Sequence, residues 1–276
     1  MALHSRIVLL TGAAGGLGRV MTGALLTAGH CVAGIDRNAA KLQQLATLPG
    51  IDDRLFTITA DLGSEAGCRR AFDATCKHFG TIDVVINNAG IGVSAIRPDA
   101  EARHPTIAEL TPEMWDRFLN IFVRAPAILT RAALPLMEER GFGRIVNITT
   151  SYLTMLRVQP YGAAKAALES MSAVWAQELE GSGITVNVLV PGGPTDTALI
   201  ALESGWPRDT MLRPAIMGPP IRWLVSEEAG AFNGQRVTAA RWDTSLPPAE
   251  AAMHASREIG WPELGADAVW PADARP

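Results

Sequence analysis

Ile7-Val8-Leu9-Leu10-Thr11-Gly12-Ala13-Ala14-Gly15-Gly16-Leu17-Gly18 is the stretch whose order decides the fold. Four consecutive apolar residues without alternation read as a strand buried on both faces. Glycines follow at once, and residues 16–28 continue with helical composition. Glycines let the backbone turn sharply and approach a pyrophosphate closely. The free N–H groups at the start of the next helix suit phosphate binding. A glycine-rich loop alone is weak evidence, but one set between a first strand and a first helix is strong.

The same rhythm continues along the chain. Buried-type strands are predicted at 31–35, 55–60, 83–87, 144–148 and 185–190, and helices at 39–48, 65–79, 112–139 and 161–181. Strict alternation of this kind predicts an α/β protein: a single-domain, Rossmann-like, doubly wound parallel sheet with helices on both faces. No linker, repeat or low-complexity tract divides residues 1–276, so one domain is expected. Two irregular segments break the pattern, 92–110 with Pro98 and Pro105, and 192–220, rich in Gly, Pro and Thr with a short helical stretch near 198–204. Both follow strands, where loops at carboxyl ends build a ligand crevice, and both are expected to wall the substrate pocket. An irregular tail is expected from 246, carrying Pro247, Pro248, Trp261 and Trp270 and wrapping over this domain or a neighbouring subunit.

Composition excludes several classes. With 48% hydrophobic and 19% charged residues, disorder is out of range. A net charge of -4 leaves no basic footprint for nucleic acid. Cys31, Cys68 and Cys76 are odd in number and lack ligand spacing, which reads as reduced intracellular thiols. His4, His30, His78, His104 and His254 are scattered, so no metal is expected. The N-terminal apolar run is too short for a signal peptide, and no later stretch reads as long enough to span a bilayer. A cytoplasmic protein acting on a small molecule, with neither membrane nor nucleic acid as partner, is the expectation.

Asp36 stands eighteen residues after Gly18, at the end of the second predicted strand. A carboxylate there accepts bonds from both hydroxyls of an adenosine ribose and repels a 2′-phosphate. Arg37 follows and could attract that phosphate. The strand-end position of Asp36 favours NAD over NADP. Asp61, followed by Leu62, ends the third strand and either meets an adenine edge or caps the next helix.

Tyr161 and Lys165, in Tyr161-Gly162-Ala163-Ala164-Lys165, lie about one turn apart on one face of a helix. A free phenol ionises near pH ~10. An ammonium beside it favours the phenolate, and a phenol tuned this way serves as general acid or base.

Thr11, Gly12, Gly16 and Gly18 in Thr-Gly-x3-Gly-x-Gly, Asn87-Asn88-Ala89-Gly90 after the fourth strand, and Tyr161-x3-Lys165 together resemble the short-chain dehydrogenase/reductase family over roughly residues 5–240. The resemblance implies that Gly12, Gly16 and Gly18 shape the phosphate loop and that Asn88, Ala89 and Gly90 line the cofactor. It implies that Tyr161 transfers the substrate proton, while Lys165 binds the nicotinamide ribose and lowers the tyrosine's pKa. Asn120 matches the asparagine that kinks a helix and holds a relay water. The resemblance also implies a homo-oligomer, a dimer or a homotetramer, through the helices 112–139 and 161–181.

Two places depart from the family's pattern. The run Asn147-Ile148-Thr149-Thr150-Ser151 puts Thr150 at the usual serine position when counted from Asn147. Counted back from Tyr161 the segment is shorter than usual, which would bring in Ser151. Either hydroxyl can donate to a substrate oxygen. In Pro191-Gly192-Gly193-Pro194-Thr195-Asp196-Thr197 the slot of the carboxamide-binding threonine is Asp196, with Thr195 and Thr197 on either side as candidates. The implied activity is reversible hydride transfer between NAD and a secondary alcohol or ketone. Its rivals are a non-redox use of the same site (dehydration, epimerisation or dehalogenation) and an NAD-binding sensor or scaffold.

Overall fold

The computed structural model describes residues 5–47 and 53–265. Its first strand, β1 (Ile7–Thr11), is followed by α1 (Gly16–Thr27), β2 (Cys31–Asp36), α2 (Ala39–Ala46), β3 (Leu55–Thr59), α3 (Glu65–Phe79) and β4 (Val84–Asn87). Then come α4 (Pro112–Leu119), α5 (Ala125–Arg140), β5 (Gly143–Ile148), the short α6 (Tyr152–Met155), α7 (Tyr161–Glu178) and β6 (Ile184–Val190). The chain continues through α8 (Gly218–Leu224), β7 (Gln235–Thr238), α9 (Pro248–Ala255), β8 (Ser256–Glu258) and α10 (Pro262–Gly265).

The strands form one sheet in the order β3-β2-β1-β4-β5-β6-β7-β8. All neighbours are parallel except β7 and β8, which pair antiparallel. The order reverses between β1 and β4, and the carboxyl ends of strands at such a switch point open the ligand crevice of a doubly wound sheet. Alternation within each strand splits the core into two layers. Val8 and Leu10 pack with Met21 and Leu25 of α1 and Ile221 and Leu224 of α8. Leu9 faces the other way, with Ala71 of α3, Leu129 and Met137 of α5 and Ala176 of α7.

The six predicted strands are present, with ends shifted by a residue at most. β7 and β8 were not expected. β7 is only Gln-Arg-Val-Thr, and β8 is Ser-Arg-Glu with no apolar residue, so backbone pairing to β7 and not side-chain pattern makes it a strand. The tail from 246 is therefore regular over α9 and β8, which corrects the expectation of an irregular segment. It folds back on its own chain, with the Trp261 ring 5.7 Å from that of Tyr152. Trp270 lies outside the described residues, as does His4.

The helix expected at 112–139 is two helices joined by a π turn, Asn120–Arg124. A π turn shifts the hydrogen-bond register and is a recognised cause of a kink. Near 198–204 only a 3₁₀ turn forms, Leu202–Ser204. One further expectation is corrected: Pro112–Arg140, 29 residues with mean hydropathy 1.2 in its most apolar window, is long and apolar enough to cross a bilayer by length and composition. Leu129, Ala133 and Met137 from that run are buried on the sheet.

Candidate active site

The glycine loop is built around Thr11. Its hydroxyl donates to the Ile86 carbonyl and accepts the backbone N–H groups of Asn88 and Ala89, each at 2.9 Å. The Asn88 amide returns two bonds, to the carbonyls of Thr11 (2.9 Å) and Gly12 (3.1 Å). The ends of β1 and β4 are thereby sewn together at the switch point. Gly12 holds φ +66°, and a β-carbon there would come 2.8 Å from the Ala89 Cα. Gly18 lies so close to the Gly12 carbonyl that a β-carbon would sit 2.0 Å from it. Gly90 leaves room for the Phe122 ring.

Gly15 caps α1 without a side-chain hydrogen bond, so the helix presents its first N–H groups to a ligand. Leu17 flanks this opening, half-buried. Asp36 closes β2, with one carboxylate oxygen accepting the Asn38 N–H at 3.0 Å, and Arg37 is exposed. Asp61 accepts the Gly63 N–H, and Ser64 caps α3, so the capping alternative for Asp61 falls away. Leu62 is buried beneath it. This cradle of close-packed glycines, an uncapped helix start and a carboxylate at the end of β2 fits a dinucleotide.

The second half of the site descends from β5 and α7. Buried Asn87 and Asn147 share a 2.8 Å bond across β4 and β5, and Asn147 donates to the Ser172 hydroxyl on α7, also at 2.8 Å. The end of β5 is thus held against the helix that carries Tyr161 and Lys165. Tyr161 meets the Phe122 ring edge-on at 5.4 Å, and the Thr150 side chain lies close enough to its phenol to pull the phenol's pKa down. Ser151 is used elsewhere: its hydroxyl accepts the Thr154 N–H at 3.1 Å and pairs with the Thr154 hydroxyl at 2.8 Å, capping α6. Of the two sequence candidates, Thr150 is the one brought to the phenol.

Lys165 is buried, donates to the Ile148 carbonyl and lies 4.2 Å above the Phe122 ring. Burial pulls its pKa down to about 7, against the raising influence of the Glu169 carboxylate. Burial likewise pushes Tyr161 up to about 12, and the opposing pull comes from the Thr150 hydroxyl. The expected lowering of the phenol by Lys165 is not seen: its Nζ is turned to the Ile148 carbonyl, and burial disfavours its ammonium form. Asn120 opens the π turn, and its side-chain oxygen accepts from Arg124 at 2.8 Å.

The segment after β6 crosses toward the glycine loop. Gly192 has φ +105° beside Thr238 and Ala240. Thr195 is buried and donates to the Gly193 carbonyl at 3.1 Å, so it stays within its own loop. Asp196 is ion-paired with Arg208 (2.9 Å) and Arg213 (2.8 Å). Thr197 is the threonine that reaches the phosphate loop, packing against Gly16. Gly192, Gly193 and Pro194 also line a cleft of about 380 Å³ with Trp206, Met211 and Leu212. In the other loop, Arg97 and Arg103 are engaged with Asp99 and Glu109.

Sequence reasoning missed a buried cluster directly behind Thr150, made of Thr149, Tyr152, Glu169 and Arg236. Glu169 sits one turn beyond Lys165 on the same helix face, a spacing that offered a signal. Arg236 offered none. Among the described residues, no three His, Cys, Asp or Glu side chains converge as a metal site.

The family profile described as short chain dehydrogenase matches residues 6–206. D-threitol dehydrogenase of Mycolicibacterium smegmatis is 32% identical over 247 residues, covering 84% of this chain and 90% of that one. NADPH-dependent aldehyde reductase 2, chloroplastic, of Arabidopsis thaliana is 28% identical, over 70% of this chain and 73% of its own. Among solved structures, the 3-ketoacyl-(acyl-carrier-protein) reductase of Brucella melitensis complexed with NADH superimposes with a TM-score of 0.70 at 26% identity, covering 84% of this chain and 95% of that one.

Proposed function

The chain belongs to the short-chain dehydrogenase family and is an oxidoreductase with a nucleotide-binding Rossmann fold, and from that premise we propose that it oxidises a secondary alcohol reversibly to a ketone with NAD. The observation that carries this reading is the placement of Tyr161 beside the Thr150 side chain and one helical turn from Lys165, at the same end of the sheet as the glycine cradle.

Gly12, Gly16, Leu17 and Gly18 would hold the diphosphate, Asp36 the adenosine ribose, and Asp61 and Leu62 the adenine edge. Asn88, Ala89 and Gly90 would line the middle of the cofactor, Tyr161 and Lys165 the nicotinamide ribose. Pro191, Gly192 and Thr197 would face the carboxamide, with Thr195 bracing their loop. When bound, the nicotinamide supplies the hydride chemistry. The chain's part is proton transfer and placement: the Thr150 hydroxyl donates to the substrate oxygen, and Tyr161 takes the alcohol proton or returns it to the ketone. Lys165 in its ammonium form stabilises the phenolate. Asn120, at the π turn, orients the water through which the proton leaves.

Asp36 supports NAD over NADP, because its carboxylate at the ribose position repels a 2′-phosphate. The substrate reads as uncharged. The loops 92–110 and 192–220 each carry three acids against two arginines, and all four arginines are ion-paired within their loops. Exposed Leu153, Leu156, Leu199, Leu202 and Trp206 stand on the segments following β5 and β6. A cytoplasmic homo-oligomer without nucleic-acid or membrane partners completes the proposal, supported by the net charge of -4 and by exposed Val174 on α7.

The test is a screen of secondary alcohols, polyols, hydroxysteroids and hydroxyacyl thioesters with NAD and NADP, read by nicotinamide absorbance. Product formation without a change in nicotinamide absorbance would support a non-redox use of the site. Cofactor binding without turnover of any substrate would support a sensor.

A further inference from the structure

Three consecutive residues at the end of β5, Ile148 to Thr150, are each gripped by a buried charge. Lys165 takes the Ile148 carbonyl. The Thr149 hydroxyl donates to Glu169 Oε2 at 2.7 Å and accepts from Arg236 Nη1 at 3.2 Å. Arg236 Nη2 donates to the Thr150 carbonyl at 2.6 Å. Arg236 and Glu169 are themselves paired at 2.7 Å, with side chains 5% and 0% exposed. The guanidinium lies 4.1 Å above the Tyr152 ring, and the Tyr152 hydroxyl donates to the Gly260 carbonyl at 2.7 Å. Glu169 Oε1 faces that same hydroxyl at 3.4 Å and the Gly260 N–H at 3.5 Å.

Four elements distant in sequence thus converge on one turn: the end of β5, α7, β7 and the residues after β8. A buried ion pair is a weak device for stability alone, since apolar side chains of similar volume serve at least as well. This pair does something apolar side chains could not. It accepts or donates at each of the two residues preceding Ser151, and its last bond is to the very residue whose hydroxyl meets Tyr161. We propose that Arg236 and Glu169 are positioning residues of the active site: they fix the turn at 148–150 so that the Thr150 hydroxyl is delivered to the phenol, and they make the C-terminal segment at Gly260 part of that scaffold. The inference rests on the roles given above to Thr150 and Tyr161.

The geometry also specifies which cation is needed. One planar fork reaches Glu169, Thr149 and the Thr150 carbonyl while its face stacks on Tyr152. An ammonium can neutralise Glu169, but it cannot make that set of contacts. Charge balance and positioning therefore separate in Arg236→Lys.

The chain has two tyrosines, Tyr152 and Tyr161, so tyrosine labelled with ¹³C at the ring ζ carbon gives two resonances, assigned with Tyr161→Phe. Thr150→Val provides the resonance position of a Tyr161 that has lost its hydroxyl partner. In Arg236→Lys and Glu169→Gln the Tyr161 signal is expected to move toward that position. Turnover is expected to fall about tenfold or more, as for a misplaced reacting group, with NADH affinity held within about twofold. A Tyr161 signal and a kcat at wild-type values in both folded variants would overturn the proposal. Where a single variant fails to fold, Glu169→Gln combined with Arg236→Met removes both charges of the pair at once, and its Tyr161 signal decides the matter in the same way. The resonance needs no turnover. A wild-type protein that oxidises nothing would remove the proposed reaction, while the signal still tests the positioning.

Discussion

Thr197 packs against Gly16 so closely that a β-carbon on the glycine would lie 2.4 Å from the Thr197 methyl. The loop after β6 therefore closes directly on the phosphate loop, and the absence of a side chain at position 16 is what admits it. Arg208 holds Thr197 from the other side, donating to its carbonyl at 3.0 Å. Gly16→Ala should push this loop off the cradle. We expect roughly tenfold weaker NADH binding, about 1.4 kcal/mol, with a smaller change in the unfolding midpoint. Equal losses in both measurements would indicate a folding defect instead.

Thr150 and Ser151 separate into two jobs that mutagenesis can tell apart. Thr150→Val removes the hydroxyl beside Tyr161 and should lower kcat on the order of 10²-fold, the usual cost of one donor to a reacting oxygen. Thr150→Ser should retain most activity. Ser151→Ala removes only the cap of α6, costing about 1 kcal/mol of stability with turnover nearly unchanged. Steady-state kinetics and thermal melts of the three variants check this, and a kcat collapse in Ser151→Ala would reverse the assignment.

Tyr161→Phe keeps the ring that packs on Phe122 and deletes the only phenol at the site. Turnover should fall by roughly 10²–10⁴-fold, the scale of general acid–base catalysis. NADH affinity should stay within about twofold, because the glycine cradle and Asp36 are untouched. Near-normal turnover would remove Tyr161 from the proton-transfer role.

Asp36→Ala should shift the balance between cofactors. Losing the carboxylate removes both the ribose contact and the repulsion of a 2′-phosphate, and Arg37 is exposed beside the position. The ratio of kcat/KM for NAD over NADP is expected to fall roughly tenfold or more. An unchanged ratio would place the discrimination elsewhere.

What was legible in the chain, and what was not, follows from the range of the forces involved. Strands β1, β2 and β4 are buried along most of their length and show as short apolar runs, and β3, β5 and β6 show through their apolar, mostly β-branched residues. β8, Ser256–Glu258, is held by backbone pairing, which leaves no mark on side-chain composition. Tyr161 and Lys165 could be placed on one face because helical spacing is local. Which hydroxyl would meet the phenol could not be read, since whether Ser151 is spent on a cap depends on a turn that pattern does not encode. Asp196 looked like a misplaced threonine until its partner Arg208, twelve residues on, gave it a structural role. Arg236 lies 67 residues from Glu169, and although Glu169 shares a helix face with Lys165, nothing near Arg236 announces the pair.

The buried Lys165 gives the unliganded protein a distinctive pH dependence. Its folded pKa is lowered from 10.5 to about 7, so between those values the unfolded chain binds the proton and the folded chain does not. Stability must then rise with pH across that interval, and the burden of the buried ammonium is fullest below about pH 7. Other shifted groups bound the useful window. His30 is lowered from 6.5 by burial and acts below it, while Cys68, raised from 9.0 to about 11, and Tyr161, raised from 10.0 to about 12, lower stability only above it. Between about pH 7 and 9 the slope belongs chiefly to Lys165. Urea melts of the unliganded protein should show stability climbing through this window, and Lys165→Met should flatten the climb while raising stability most at its acidic end. An equal slope in the two proteins would mean that Lys165 keeps its proton in the folded state, with the ammonium compensated by Glu169 one turn away and by the Ile148 carbonyl.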